Sequence, residues 1–119
     1  MNLLEETKCV LKENGKSLKD VKWIGCKHFT VSIENFITCA DKEYDKGLGA
    51  QRVATDIVVV GDNWWLERHE YDGSEWWEYK ELPQKPSEEK QVKRVIGGMW
   101  NSLEELNGGD SEYQLWCRN

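Results

Sequence analysis

The stretch WWLERHEYDGSEWWEYK, residues 64–80, places two pairs of adjacent tryptophans on either side of Asp72-Gly73. An Asp-Gly pair between two strand-like runs is a strong hairpin signal, because both turn positions tolerate positive φ. Successive strand residues point to opposite faces of a sheet, so each pair contributes one indole to each face. Trp64, Leu66, Arg68 and Glu70 share one face of the first strand, and Trp65, Glu67, His69 and Tyr71 share the other. An ordinary surface hairpin keeps one face polar. Here both faces carry large aromatic area, so one is expected to join a core and the other to be covered or to make contacts.

Working outward, Ile57 to Val60 is a β-branched run suited to a buried strand, and Gly61-Asp62 leads from it into the hairpin. Pro83 and Pro86 stop the second hairpin strand and open a linker. Towards the N-terminus, Leu3, Leu4, Thr7, Val10 and Leu11 fall on one face of a helix over residues 3–13 that Asn14-Gly15 ends. Ser17 to Asp20 reads as a turn and Val21 to Gly25 as a short strand. Ser32 is an N-cap for a second helix over 33–45, with Ile33, Phe36, Ile37, Ala40 and Tyr44 at helical spacing. Beyond the linker, Val92, Val95, Ile96 and Met99 fit a helix that Gly97-Gly98 contradicts. Ser102 to Glu105 is a capping box, and Tyr113 to Cys117 alternates like a last strand.

These elements predict one α+β domain over residues 1–119. Its centre is a small antiparallel sheet of three or four strands around residues 57–82, with the Trp-rich hairpin packed against two or three helices. A chain of 119 residues is long enough for one modest core. No apolar run approaches the roughly 18 residues of a membrane span. The start, MNLLEETKCV, has acids where a secretory leader has bases, so no membrane association and a cytoplasmic location are expected. Cys9, Cys26, Cys39 and Cys117 form no CxxC pair and are read as thiols.

Charge is unevenly spread. The formal net charge is −6, and the hairpin region holds most of it. Residues 61–82 carry Asp62, Glu67, Glu70, Asp72, Glu75, Glu78 and Glu81 against only Arg68 and Lys80. Direct contact with a phosphate backbone needs basic side chains to displace counterions, so this segment disfavours a nucleic-acid ligand and suits a basic partner.

Motifs with chemistry are sparse. Gly47-Leu-Gly49 has a fragment of a phosphate-loop pattern, but it precedes a strand and Arg52 replaces a required glycine. Cys26, His28, Cys39 and His69 match no zinc spacing, so neither metal nor cofactor is expected. Asp62 followed by Glu78-Tyr-Lys80 has the acid-then-ExK order of Mg²⁺-dependent nucleases, in which carboxylates hold the metal and a lysine steadies the water. Glu and Lys are common on exposed strands, and the acidic surroundings oppose a DNA substrate. No catalytic residue is therefore assigned.

The segments MNLLEETKCVLKENGKSLKDVKWIG, ADKEYDKGLG and VVVGDNWWLERHEYDGSEWWEYK resemble small proteins encoded by phages and prophages of Gram-positive bacteria. The resemblance covers residues 1–86, leaving 87–119 as a variable C-terminal segment. It implies an accessory phage product that acts in the host cell. On that basis the expected function is a counter-defence inhibitor of the anti-CRISPR kind, occupying a basic site on a host protein such as a nucleic-acid-binding effector. The expected contact residues are Trp65, Glu67, His69, Tyr71, Glu75, Trp76 and Glu78. The alternatives are a binder of a small molecule or nucleotide signal, using Trp stacking with Arg52, Arg68 or Arg94, and the ExK nuclease.

Overall fold

The computed structural model describes residues 1–45 and 49–108. The chain divides into two compact units, Met1–Pro83 and Gln84–Asn119. The first holds a five-stranded antiparallel sheet, β1 (Trp23–Gly25), β2 (Thr30–Val31), β3 (Val58–Val60), β4 (Trp64–Tyr71) and β5 (Ser74–Glu81), in the order β2-β1-β3-β4-β5. Its helices are α1 (Leu3–Glu13) and α2 (Ile33–Ala40). This is an α+β arrangement with one more strand than expected.

Helix α1 follows the sequence pattern along its whole length. Asn2 caps it by accepting from the Glu5 amide, Glu5 and Glu6 sit in its positive first turn, and Asn14 closes it. Leu4, Thr7 and Leu11 are buried on the face turned to the sheet. A 3-10 turn, Leu18–Asp20, follows with Ser17 and Asp20 forming a reciprocal capping box. Helix α2 is capped by Ser32 but ends at Ala40, short of the expected 45. Beyond it the chain turns back to pair Glu43 with Asn2, and the Leu3 amide donates to the Lys42 carbonyl. That pairing with the start of α1 withdraws Tyr44 from the helix.

Hairpin register fixes both faces of the sheet. Asp72 and Gly73 have φ of 50° and 86°, and Tyr71 pairs with Ser74, Glu67 with Glu78 and Trp65 with Lys80. Along β4 the buried residues are Trp64, Leu66 and Arg68; along β5 they are Glu75 and Trp77. Trp64 is 3% exposed and Trp77 4%, and both join Leu4, Leu11, Ile24, Phe36 and Val59 in the core. Trp64 stacks on Tyr79 at 5.8 Å, one step diagonally across the ladder. The Trp77 indole N–H donates to Thr7 Oγ1 at 2.9 Å, tying β5 to α1.

Among its described residues the second unit has one short helix, α3 (Leu103–Leu106), with the expected Ser102–Glu105 capping box. Asn107 links this helix to the preceding loop. Its Oδ1 accepts from the amides of Lys93 and Arg94, and its Nδ2 donates to the carbonyls of Arg94 and Leu103. Residues 87–99 contain neither helix nor strand, so the apolar spacing there is not realised as a helix. The strand expected over 113–117 lies outside the described residues.

Candidate functional site

Six of the seven expected contact residues, Trp65, Glu67, His69, Tyr71, Trp76 and Glu78, lie on the hairpin face opposite the core. Their side chains form a connected layer. Trp65 Nε1 donates to Glu67 Oε1 at 2.6 Å, and Trp76 Nε1 donates to Glu78 Oε2 at 2.9 Å. His69 lies between the two acids, its Nε2 2.7 Å from Glu67 and its Nδ1 3.8 Å from Glu78. Lys80 joins at 3.8 Å from Glu78. The Trp65 N–H, followed by His69, holds the Glu67 carboxyl below the usual carboxylate range, so this acid stays ionised.

Both outer indoles are half-buried. Their cross-strand neighbours are His69, opposite Trp76, and Lys80, opposite Trp65. Tyr71, at the tip, is 76% exposed. Glu70 and Glu81 are exposed but alternate onto the other face, so the acids of this aromatic patch are Glu67 and Glu78, with Asp72 exposed at the turn.

Glu75 does not belong to this patch. It is 1% exposed and lies on the core side. Its Oε1 accepts from Arg68 Nη2 at 2.8 Å, and its two oxygens accept from the Arg52 and Val53 amides at 2.6 and 3.2 Å. Burial alone would raise its carboxyl pKa. The Arg52 amide, the Arg68 guanidinium and the Val53 amide outweigh burial and hold it below the ordinary range. Arg68 also donates to Glu6 at 3.2 Å and to the Tyr44 hydroxyl at 3.3 Å, and its guanidinium lies 4.9 Å from the Trp77 ring centre. Tyr44 in turn donates to Glu6. Burial is the main cause that pushes the Tyr44 hydroxyl up to about 12, with the Glu6 bond next.

This internal network of Glu6, Tyr44, Arg68 and Glu75 was not foreseen. One signal for it was present, since alternation already puts Arg68 on the face of Trp64 and Leu66. A buried guanidinium requires carboxylate partners. Neither Glu6 nor Tyr44 can be picked out as those partners by local spacing.

The nuclease arrangement does not assemble. Asp62 pairs with Lys22 at 3.7 Å, beyond the base of β4, while Glu78 is committed to Trp76. Trp64 pairs with Glu81, three residues past Glu78, which sets the two acids roughly 10 Å or more apart along the sheet. Among the described residues no three His, Cys, Asp or Glu side chains converge as a metal site. Among the described residues the arginines considered for stacking do not sit against an exposed indole. Arg68 and Trp77 are inside the core, and Arg94 donates to the Leu106 carbonyl in the second unit. Among the described residues no helix is long and apolar enough to cross a membrane. No family model, curated protein or solved structure matches this chain.

Proposed function

We propose that this protein works by binding, with the outer face of its hairpin as the contact surface for a basic macromolecular partner. The observation that carries this reading is the division of labour within each Trp pair. Trp64 and Trp77 are core, whereas Trp65 and Trp76 sit on the opposite face, each clamped by a carboxylate two residues along. Trp and Tyr anchor interfaces because they bring large area with few rotatable bonds. Fixing the indoles before contact lowers the ordering entropy lost on association. The carboxylates of Glu67 and Glu78 on this face, with Asp72 at its tip, would steer a positively charged partner and disfavour nucleic acid.

The narrower reading, a phage counter-defence inhibitor occupying the basic channel of a host effector, draws on the sequence resemblance and on this charge. The partner would then be a host protein whose nucleic-acid site the acidic face covers. Capture from a Gram-positive bacterial lysate tests the general reading. Wild-type protein is expected to retain a basic protein that a Trp65→Ser/Trp76→Ser variant, shown to be folded by its cooperative unfolding transition, does not. Identical capture by both proteins would reject the surface.

A further inference from the structure

The first unit also contains a cleft of 590 Å³ between the start of α1, the end of α2 and the segment before β3. That lies within the range of about 300–1,000 Å³ usual for small-molecule sites. Its walls include Leu3, Phe36, Ala40, Val53 and Ile57, all apolar, and its rim carries Lys42, Glu43, Asp45 and Arg52. The Glu43 carboxylate lies 3.0 Å from the Met1 ammonium. Among the described residues Lys42 and Arg52 have no ion-pair partner, so the rim has two available cations against Asp45.

One wall of this cleft is held in place by the buried network. The amides of Arg52 and Val53 both donate to Glu75, which Arg68 fixes from inside the sheet. Tyr44, another wall residue, is anchored through its hydroxyl by Glu6 and Arg68. Fully buried charges are unfavourable unless well paired, and here their effect is to set the backbone that presents Arg52. A preformed apolar cleft with a cationic rim suits one ligand chemistry.

We infer that this cleft binds a small organic anion. Its ring or aliphatic body would lie against Phe36, Ala40, Val53 and Ile57, and its carboxylate, sulfonate or phosphate would meet Arg52 and Lys42. This inference is independent of the hairpin surface and stands if that reading fails.

Two dyes of similar shape test it on the full chain: anilinonaphthalene sulfonate, which is anionic, and phenylnaphthylamine, which is neutral. In backbone-amide NMR titrations the anionic dye is expected to saturate at one equivalent and shift the Tyr44, Arg52 and Val53 amides. A Lys42→Ala/Arg52→Ala variant should bind the anionic dye roughly tenfold more weakly and change binding of the neutral dye by less than about twofold. Shifts confined to residues 92–103, where exposed Val95, Ile96, Met99 and Trp100 could attract any apolar dye, would overturn the inference. So would an equal loss for both dyes, or the absence of saturable binding.

Discussion

Arg68 and Glu75 meet inside the hairpin, Nη2 to Oε1 at 2.8 Å, although neither is the other's partner across the ladder: Arg68 pairs with Trp77 and Glu75 with Glu70. The diagonal contact buries a charge pair in a sheet face otherwise built from Trp64, Leu66 and Trp77. The same pair fixes the backbone at Arg52 and Val53 through the second oxygen and shared acceptor of Glu75. One interaction thus links the core to the wall of the cleft.

Removing one member leaves the rest of the network charged and buried. Arg68→Met is expected to lower unfolding stability by about 3–5 kcal/mol in urea titrations, the range for breaking a buried pair from one side. Glu75→Gln keeps one acceptor oxygen but turns its NH2 toward one of the two backbone amides, which bond to different carboxylate oxygens, so it should be destabilising as well. The double variant should lose less than the sum, with a coupling of about 1–3 kcal/mol. Strict additivity would show that the contact does not bear on stability.

The four hairpin tryptophans should separate into two classes. Trp64→Ala and Trp77→Ala remove buried indoles and are expected to cost about 3–5 kcal/mol. Trp65→Ala and Trp76→Ala remove half-buried ones and should cost about 1 kcal/mol while leaving a cooperative transition. Thermal unfolding of the four variants measures this directly. Equal losses at all four positions would mean that both faces are core.

Acid and alkali should each weaken the fold through a named group. The Glu75 carboxyl is held below its unfolded value of about 4.3, so its contribution is complete above that pH and is lost as pH falls through the folded value. Glu75→Gln should flatten the acid limb of the stability profile. Tyr44 is raised to about 12, so its contribution is complete below the unfolded value near pH 10 and is lost as pH rises towards 12. Tyr44→Phe should flatten the alkaline limb. Stability measured by denaturant unfolding across pH checks both signs.

The turn sets the register and therefore which indoles lie inside. Gly73 has φ of 86°, where a side chain is strained, so Gly73→Ala should cost about 1–2 kcal/mol. Gly61 is sensitive for a different reason. A Cβ there would run into the Trp64 indole, so Gly61→Ala should loosen the base of the hairpin. Chemical denaturation of the two variants, with Gly15→Ala as a positive-φ control in open space, distinguishes strain from collision.

Much of the first unit was legible because its signals are local. Asn14-Gly15 marks the end of α1, Ser32 the start of α2, and Asp72-Gly73 the hairpin. The inward direction of Glu75, which was expected among the contact residues, was legible too. A two-residue turn at 72–73 sets Tyr71 opposite Ser74, hence Glu75 opposite Glu70 on the Arg68 face. What local pattern does not carry is long-range. Strand β2 has two residues and exists through pairing with β1, and α2 stops short of Tyr44 where the chain pairs with the start of α1, which lets the Tyr44 hydroxyl reach Glu6 and Arg68. The cleft is assembled from residues 1–57 and has no motif of its own.

Fluorine NMR of protein labelled with fluorotryptophan, assigned by single Trp→Phe substitutions, tests the central claim most directly. On adding the basic protein captured from lysate, the Trp65 and Trp76 signals should shift or broaden while those of Trp64 and Trp77 stay in place. If those two outer signals are unchanged and Trp100, 91% exposed in the second unit, responds instead, the hairpin is scaffold and the contact lies elsewhere.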